Sequence, residues 1–142
     1  MPKIPSEVLQ YIEDAKKADF YGALDYVAKT PYAQKMLNLL FKEPIVKGLD
    51  YDVLINATID VPEKNKKKHR ETLNQIHKTL DDMIALKIAQ KVQDQPNFAI
   101  TLAGHDTCVT YANLLAAAKK SEDVKTDKDA INKVKEFLAT TH

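Results

Sequence analysis

A chain of 142 residues, 44 % hydrophobic and 29 % charged, can bury a real core, is too short for two ordinary domains plus a linker, and lies outside the range of disordered chains. A formal net charge of +1 excludes a global field toward nucleic acid or membrane, so any such attraction must come from local clustering. One cysteine excludes an internal disulfide framework, three glycines leave little from which to build a phosphate-cradling loop, and no run approaches the roughly 20 apolar residues of a spanning helix. No apolar run follows Met1–Ser6, so no signal peptide is expected; a single domain over 1–142 and a cytoplasmic location are the expectations.

In chain order, Ser6 is a candidate N-cap for a first helix with Val8, Leu9, Ile12 and Ala15 as its apolar stripe, and Lys16–Asp19 is a possible break. Phe20, Ala23, Leu24 and Val27 resume helical spacing up to Thr30, and Pro31 suits the first position of the next helix, over 31–42. There Ala33, Met36, Leu37, Leu40 and Phe41 form the wide apolar face of a core helix. Gly48 can supply a turn, and Asp50 reads as the N-cap of a short helix over 51–58 carrying Val53, Leu54 and Ala57 inward. The β-branched residues and proline of Ile59-Asp-Val-Pro62 interrupt it. A long helix follows, starting at Pro62 or Asn65 and ending near 85, with Leu73, Ile76, Leu80, Met83 and Ile84 on one face. The period then changes. Two short strands, over 87–93 and 98–102, flank the turn cluster Asp94-Gln-Pro-Asn97 and read as a hairpin. A helix over 105–120 would bury Val109, Ala112, Leu115 and Ala116; Thr126-x-x-Asp129 is a capping box for a last helix over 127–139 that buries Ile131, Val134, Phe137 and Leu138.

The chemistry concentrates at the start of the long helix. Lys64, Lys66, Lys67, Lys68 and Arg70 crowd a stretch in which Glu71 is the nearest acid on the C-terminal side. Duplex DNA is a dense line of phosphates, and a lysine-rich helix start serves it twice, through its charges and through its unpaired backbone N–H groups. These five residues would anchor to the backbone, with Lys78 further along; Asn74 and Gln75 are the types that pair with adenine edges and Arg70 the type that pairs with guanine. Lys91, Gln93, Gln95 and Asn97 would put polar groups on the hairpin. The competing reading is a solvated face held by ordinary i,i+4 pairs, Lys67–Glu71 and Lys78–Asp82. His69 and His77 are too far apart on one helix to share a metal; His105, Asp106 and Cys108 lack a further ligand at suitable spacing, as does His142. Asp81-Asp82 and Glu13-Asp14 diverge on their helices, and no Gly-flanked serine nucleophile occurs. No metal, no cofactor and no enzymatic activity are expected. Tyr11, Tyr21, Tyr26, Tyr32 and Phe20 crowd the N-terminal part and suit either helix packing or a subunit interface.

The succession core helix, short helix, turn, long helix with a basic start, hairpin, closing helix resembles a winged helix-turn-helix domain. From Leu73 to Leu115, the run Leu73-x-x-Ile76-x-x-x-Leu80-x-x-Met83, Leu86-x-Ile88, a hairpin and Thr101-Leu-Ala-Gly104 is similar to the helix–wing–helix segment of MarR-type and PadR-type regulators. The resemblance implies a mostly α fold with a small β-hairpin: N-terminal helices over 1–30, a winged helix-turn-helix core over 31–104, and C-terminal helices over 105–142. It further implies a homodimeric transcriptional regulator that binds double-stranded DNA and stays off the membrane. Two departures from the pattern stand out. Ala85 occupies a place where such regulators carry a glycine, and the segment 59–70 is longer than a typical turn. The alternative is a winged-helix module for protein interaction or assembly, without sequence-specific DNA binding.

Overall fold

The computed structural model describes residues 4–141; Met1–Lys3 and His142 lie outside the described residues. Among these are seven helices and one three-stranded antiparallel sheet, so the molecule is mostly α with a small sheet. The elements are α1 (Ser6–Lys17), α2 (Tyr21–Lys29), α3 (Pro31–Phe41), β1 (Leu49–Asp50), α4 (Tyr51–Thr58), α5 (Lys66–Ala85), β2 (Ala89–Lys91), β3 (Asn97–Ile100), α6 (Leu102–Lys119) and α7 (Asp127–Thr141). No helix among the described residues is long and apolar enough to cross a membrane. The chain divides into two compact units, one built from Met1–Lys29 with Asp106–His142, the other from Thr30–His105.

In the first unit, α1, α2 and α7 pack together, and Val8, Ile12, Ala15, Leu24, Val27, Val134 and Leu138 are all at most 1 % exposed. The break after α1 is a helix end of the Schellman type: Asp19 takes the left-handed conformation, φ 63°, while the Phe20 N–H reaches the Ala15 carbonyl at 2.9 Å. Ser6 is the first helical residue and not the cap; Pro5 precedes the helix and no side chain caps it. Tyr21 donates its hydroxyl to the Leu138 carbonyl at 2.6 Å, and Lys16 lies 5.3 Å from its ring centroid, so this aromatic ties α2 to α7. The box at α7 forms reciprocally: the Asp129 N–H meets the Thr126 hydroxyl at 3.1 Å and the Thr126 N–H meets the Asp129 carboxylate at 3.2 Å.

The face of α6 differs from expectation. Val109 is 40 % exposed and Ala112 and Ala116 are exposed, while Thr107, Cys108, Tyr111, Leu114, Ala117 and Ala118 turn inward. This helix is apolar around most of its circumference, so periodicity does not select the buried side. It also begins three residues early. Thr101 caps it, accepting the Gly104 N–H at 2.9 Å and donating to the Lys87 carbonyl at 2.5 Å. Gly104, read from sequence as closing a strand, lies in the first helical turn, where a Cβ would stand 2.1 Å from the Ile88 carbonyl oxygen. The Thr101–Gly104 stretch therefore pins a helix start against the chain leaving α5.

In the second unit, α3 is the central helix, packed on α4, α5 and β3, with Ala33, Met36, Leu37 and Leu40 buried. Asp50 caps α4, accepting the Asp52 N–H at 3.0 Å. The inward face of α4 is Leu54, Ile55 and Thr58; Val53, 53 % exposed, and Ala57 point outward, contrary to the sequence reading, because the helix is short and two overlapping apolar stripes compete. The sheet order is β1-β3-β2. Its outer strand β1 was not expected: Gly48, φ +62°, lets the chain approach so closely that a Cβ would meet the Phe98 carbonyl oxygen at 2.1 Å, and Leu49 then pairs with Phe98. The hairpin strands are shorter than expected, with Ala89 opposite Ile100 and Lys91 opposite Phe98. Asp94, φ 62°, makes the turn between them.

Candidate nucleic-acid interface

Helix α5 has 20 residues and starts at Lys66, after Asn65, whose side chain makes no capping bond. Ile76, Leu80 and Met83 are buried on its inner side, joined by Thr72 and Thr79; Leu73 is only half-buried at the edge. The Thr79 hydroxyl satisfies itself on the Gln75 carbonyl at 2.8 Å. This inner stripe fixes which way every other side chain of α5 points.

The sequence-derived candidates separate accordingly. Lys67, Asn74 and Lys78 form the outward ridge, and all three are exposed. Lys66 and Arg70 lie on the flank shared with His77, and are exposed as well. Lys68 and Gln75 lie on the opposite flank, lining a groove of about 440 Å³ with Tyr32, Asp60 and Glu71. In that groove the Tyr32 hydroxyl meets the Asp60 carboxylate at 2.9 Å, and burial together with this bond raises its pKa above the ordinary tyrosine value. Two carboxylates make this flank mixed in charge. Lys64 sits in the turn preceding Asn65. On the hairpin, Lys91 is at the end of β2, Gln93 is in the exposed turn, and Asn97 is half-buried with its amide donating to the Lys47 carbonyl at 3.0 Å. Asn97 is thus occupied in holding the chain before β1 to the hairpin.

The ion pairs decide how much of the charge is already committed. Lys78 pairs with Asp82 at 3.0 Å. The other pair considered, Lys67–Glu71, does not form, and none of Lys64, Lys66, Lys67, Lys68 and Arg70 has a carboxylate within 4.0 Å among the described residues. The helix start therefore carries uncompensated positive charge next to its unpaired backbone N–H groups.

An aromatic contact connects this helix to the hairpin. The Tyr51 hydroxyl contacts the His77 imidazole, at Nδ1 and with Nε2 2.8 Å away; the two rings are 5.4 Å apart and near-parallel, and Tyr51 is 5.8 Å from Phe98. Phe98 is the cross-strand partner of Lys91. The chain His77–Tyr51–Phe98 thus runs from the Lys66/Arg70 flank to Lys91 of β2. In the sequence neither His77 nor Tyr51 stands out as a bridge between the long helix and the hairpin. The available signal was local: Tyr51 follows a helix cap, and His77 follows the core position Ile76. No group of three or more His, Cys, Asp or Glu side chains that could hold a metal occurs among the described residues.

Comparisons with protein-family models, with curated proteins and with solved structures found no match to this chain.

Proposed function

We propose that the chain is a DNA-binding protein of the winged helix-turn-helix kind, a cytoplasmic transcriptional regulator acting as a homodimer, with α5 as the helix that meets the duplex. The observation that carries this reading is the uncompensated, exposed set Lys64, Lys66, Lys67 and Arg70 at the start of a helix tied to a short hairpin. Two facts support it. The order helix, short helix, long helix, hairpin is contained in Thr30–His105, a compact unit within a residue of the predicted core at 31–104. Lys91 and Arg70 are linked through the aromatic chain to one side of that unit, so helix and wing can address one duplex together. Lys66, Lys67 and Arg70 neutralise phosphates, Asn74 on the outer ridge reads base edges, and Lys68 and Gln75 contribute less because carboxylates share their groove. A second copy is supported by the exposed Val109, Ala112 and Ala116 of α6; dimers of such proteins present their reading helices to half-sites about one duplex turn apart.

The test is a fluorescence-anisotropy titration of a random duplex at two salt concentrations, alongside sedimentation for the mass in solution. Affinity falls with added salt, by a slope of about 0.9 per phosphate neutralised. Replacing Lys66, Lys67 and Lys68 together by Glu abolishes binding, and the sedimenting species is a dimer. Salt-independent binding, or binding that survives the triple change, overturns the proposal.

The protein-interaction reading has an observation of its own: Val46 is 85 %, Val53 53 % and Leu102 74 % exposed in the same unit. If duplex binding is absent and Val53→Asp removes association with a partner, that reading takes its place.

A further inference from the structure

The unit formed by the two ends of the chain contains a cavity that the DNA-binding reading does not use. It measures about 400 Å³, a volume within the range of small-ligand sites. Its walls are apolar: Pro5 at the entry to α1, Ala117 on α6 and Phe137 on α7. Its polar lining is basic in balance, Lys120 and Lys133 against Glu7, together with Ser121.

The two lysines are held differently. Lys133 is only 14 % exposed in its side chain and donates to Oδ2 of Asp123 at 2.9 Å, while Ser121 donates to the other carboxylate oxygen. An ammonium group has three donors, and this geometry spends one of them. Lys120 is 73 % exposed and 3.7 Å from Glu7, an open pair of little worth that a competing anion can replace. A lining of apolar side chains with two lysines, one largely covered and one open, fits a ligand of one chemical type.

We propose that this cavity binds a small amphipathic monocarboxylate, with its apolar body against Phe137, Pro5 and Ala117 and its carboxylate on Lys133 and Lys120. The proposal is independent of whether α5 binds DNA. Lys133 is the anchor because its side chain is largely covered, so little side-chain freedom is lost on binding. Lys120 closes over the carboxylate after releasing Glu7.

The test is a titration of the 142-residue protein with benzoate, followed by amide NMR shifts, with benzyl alcohol as the uncharged control of the same shape. Benzoate shifts the amides of Ala117, Ser121 and Phe137 saturably, and benzyl alcohol binds at least about tenfold more weakly, the usual scale of a charge-assisted contact. Lys133→Gln weakens benzoate about tenfold. Asp123→Asn, which removes the carboxylate charge that competes for Lys133, tightens it, and this exposed substitution keeps a readout available if Lys133→Gln unfolds the protein. Equal binding of benzyl alcohol, absence of saturable shifts, or unchanged or weaker benzoate binding in Asp123→Asn overturns the proposal.

Discussion

At the scale of single residues, two groups in the unit formed by the chain ends make measurable predictions. Tyr111 is 6 % exposed, and its hydroxyl has no hydrogen-bond partner among the described residues; burial pushes its pKa up to about 12, so it stays protonated at all ordinary pH. A buried hydroxyl without a partner carries a desolvation cost that folding does not recover. Tyr111→Phe removes the cost and leaves the ring, so urea denaturation should show the variant more stable by about 1 kcal/mol; a loss of similar size would mean the hydroxyl is bonded in solution. Asp123 is the opposite case. The Ser121 hydroxyl first, and Lys133 second, lower its pKa from 3.8 to about 2. A carboxyl whose folded pKa lies below its unfolded value contributes stability above the unfolded value and loses it as pH falls through the folded one. The wild type should therefore lose stability on acidification from about pH 4 to about pH 2 more steeply than Asp123→Asn, measured as melting temperature against pH. The difference should shrink in high salt, since the group is exposed. Neither feature is legible in the sequence, which contains the tyrosine and the aspartate but not the partner that one lacks and the other has.

Among the elements, α5 joins local rules to the candidate site. Its C-terminus is a Schellman motif: the Ile88 N–H reaches the Met83 carbonyl at 3.0 Å, the Lys87 N–H reaches Ile84 at 2.9 Å, and Lys87 has φ 65°. The left-handed position lies two residues after Ala85 and is held by a lysine. A non-glycine residue pays a steric cost of roughly 1–2 kcal/mol there, partly offset by the larger freedom glycine has when unfolded. Lys87→Gly should therefore raise stability by about 0.5–1 kcal/mol in chemical denaturation without changing the α5 face. A destabilised variant would show that Lys87 makes a contact that outweighs its backbone strain. The caps at Asp50 and at Thr126 with Asp129 were readable because a cap acts over three residues. The buried faces of α4 and α6 were not, because both helices offer more than one apolar stripe and only the neighbouring elements choose between them.

For the whole molecule, the two units differ in how the chain builds them. Thr30–His105 is one continuous stretch with its own core of Met36, Leu37, Leu40, Leu54, Ile76, Met83 and Ile100. The other unit draws on both ends of the chain, so neither end contains its whole core. A fragment spanning 30–105 should therefore unfold cooperatively on heating and protect the amides of Leu40, Ile76 and Ile100 from exchange, while residues 4–29 alone should not fold. Loss of the cooperative transition in the 30–105 fragment would show that the units are energetically one. The candidate interface lies wholly within that continuous stretch, which keeps the anisotropy test and the benzoate test separable.

By itself the sequence determined where helices begin and end to within a few residues, the mostly α character, the hairpin after the long helix, and the basic helix start. These follow from caps, prolines, period and charge, all of which act between residues close in the chain. Tertiary structure alone decided the third strand β1, the inward faces of α4 and α6, the pairing of Asn97 with Lys47, and the Tyr51 contacts with His77 and Phe98. It also decided that Lys67 leaves Glu71 unpaired and that Lys68 shares a groove with carboxylates. These contacts join residues distant in the chain or depend on which of several rotamers the packing favours, and such choices are made by the folded whole.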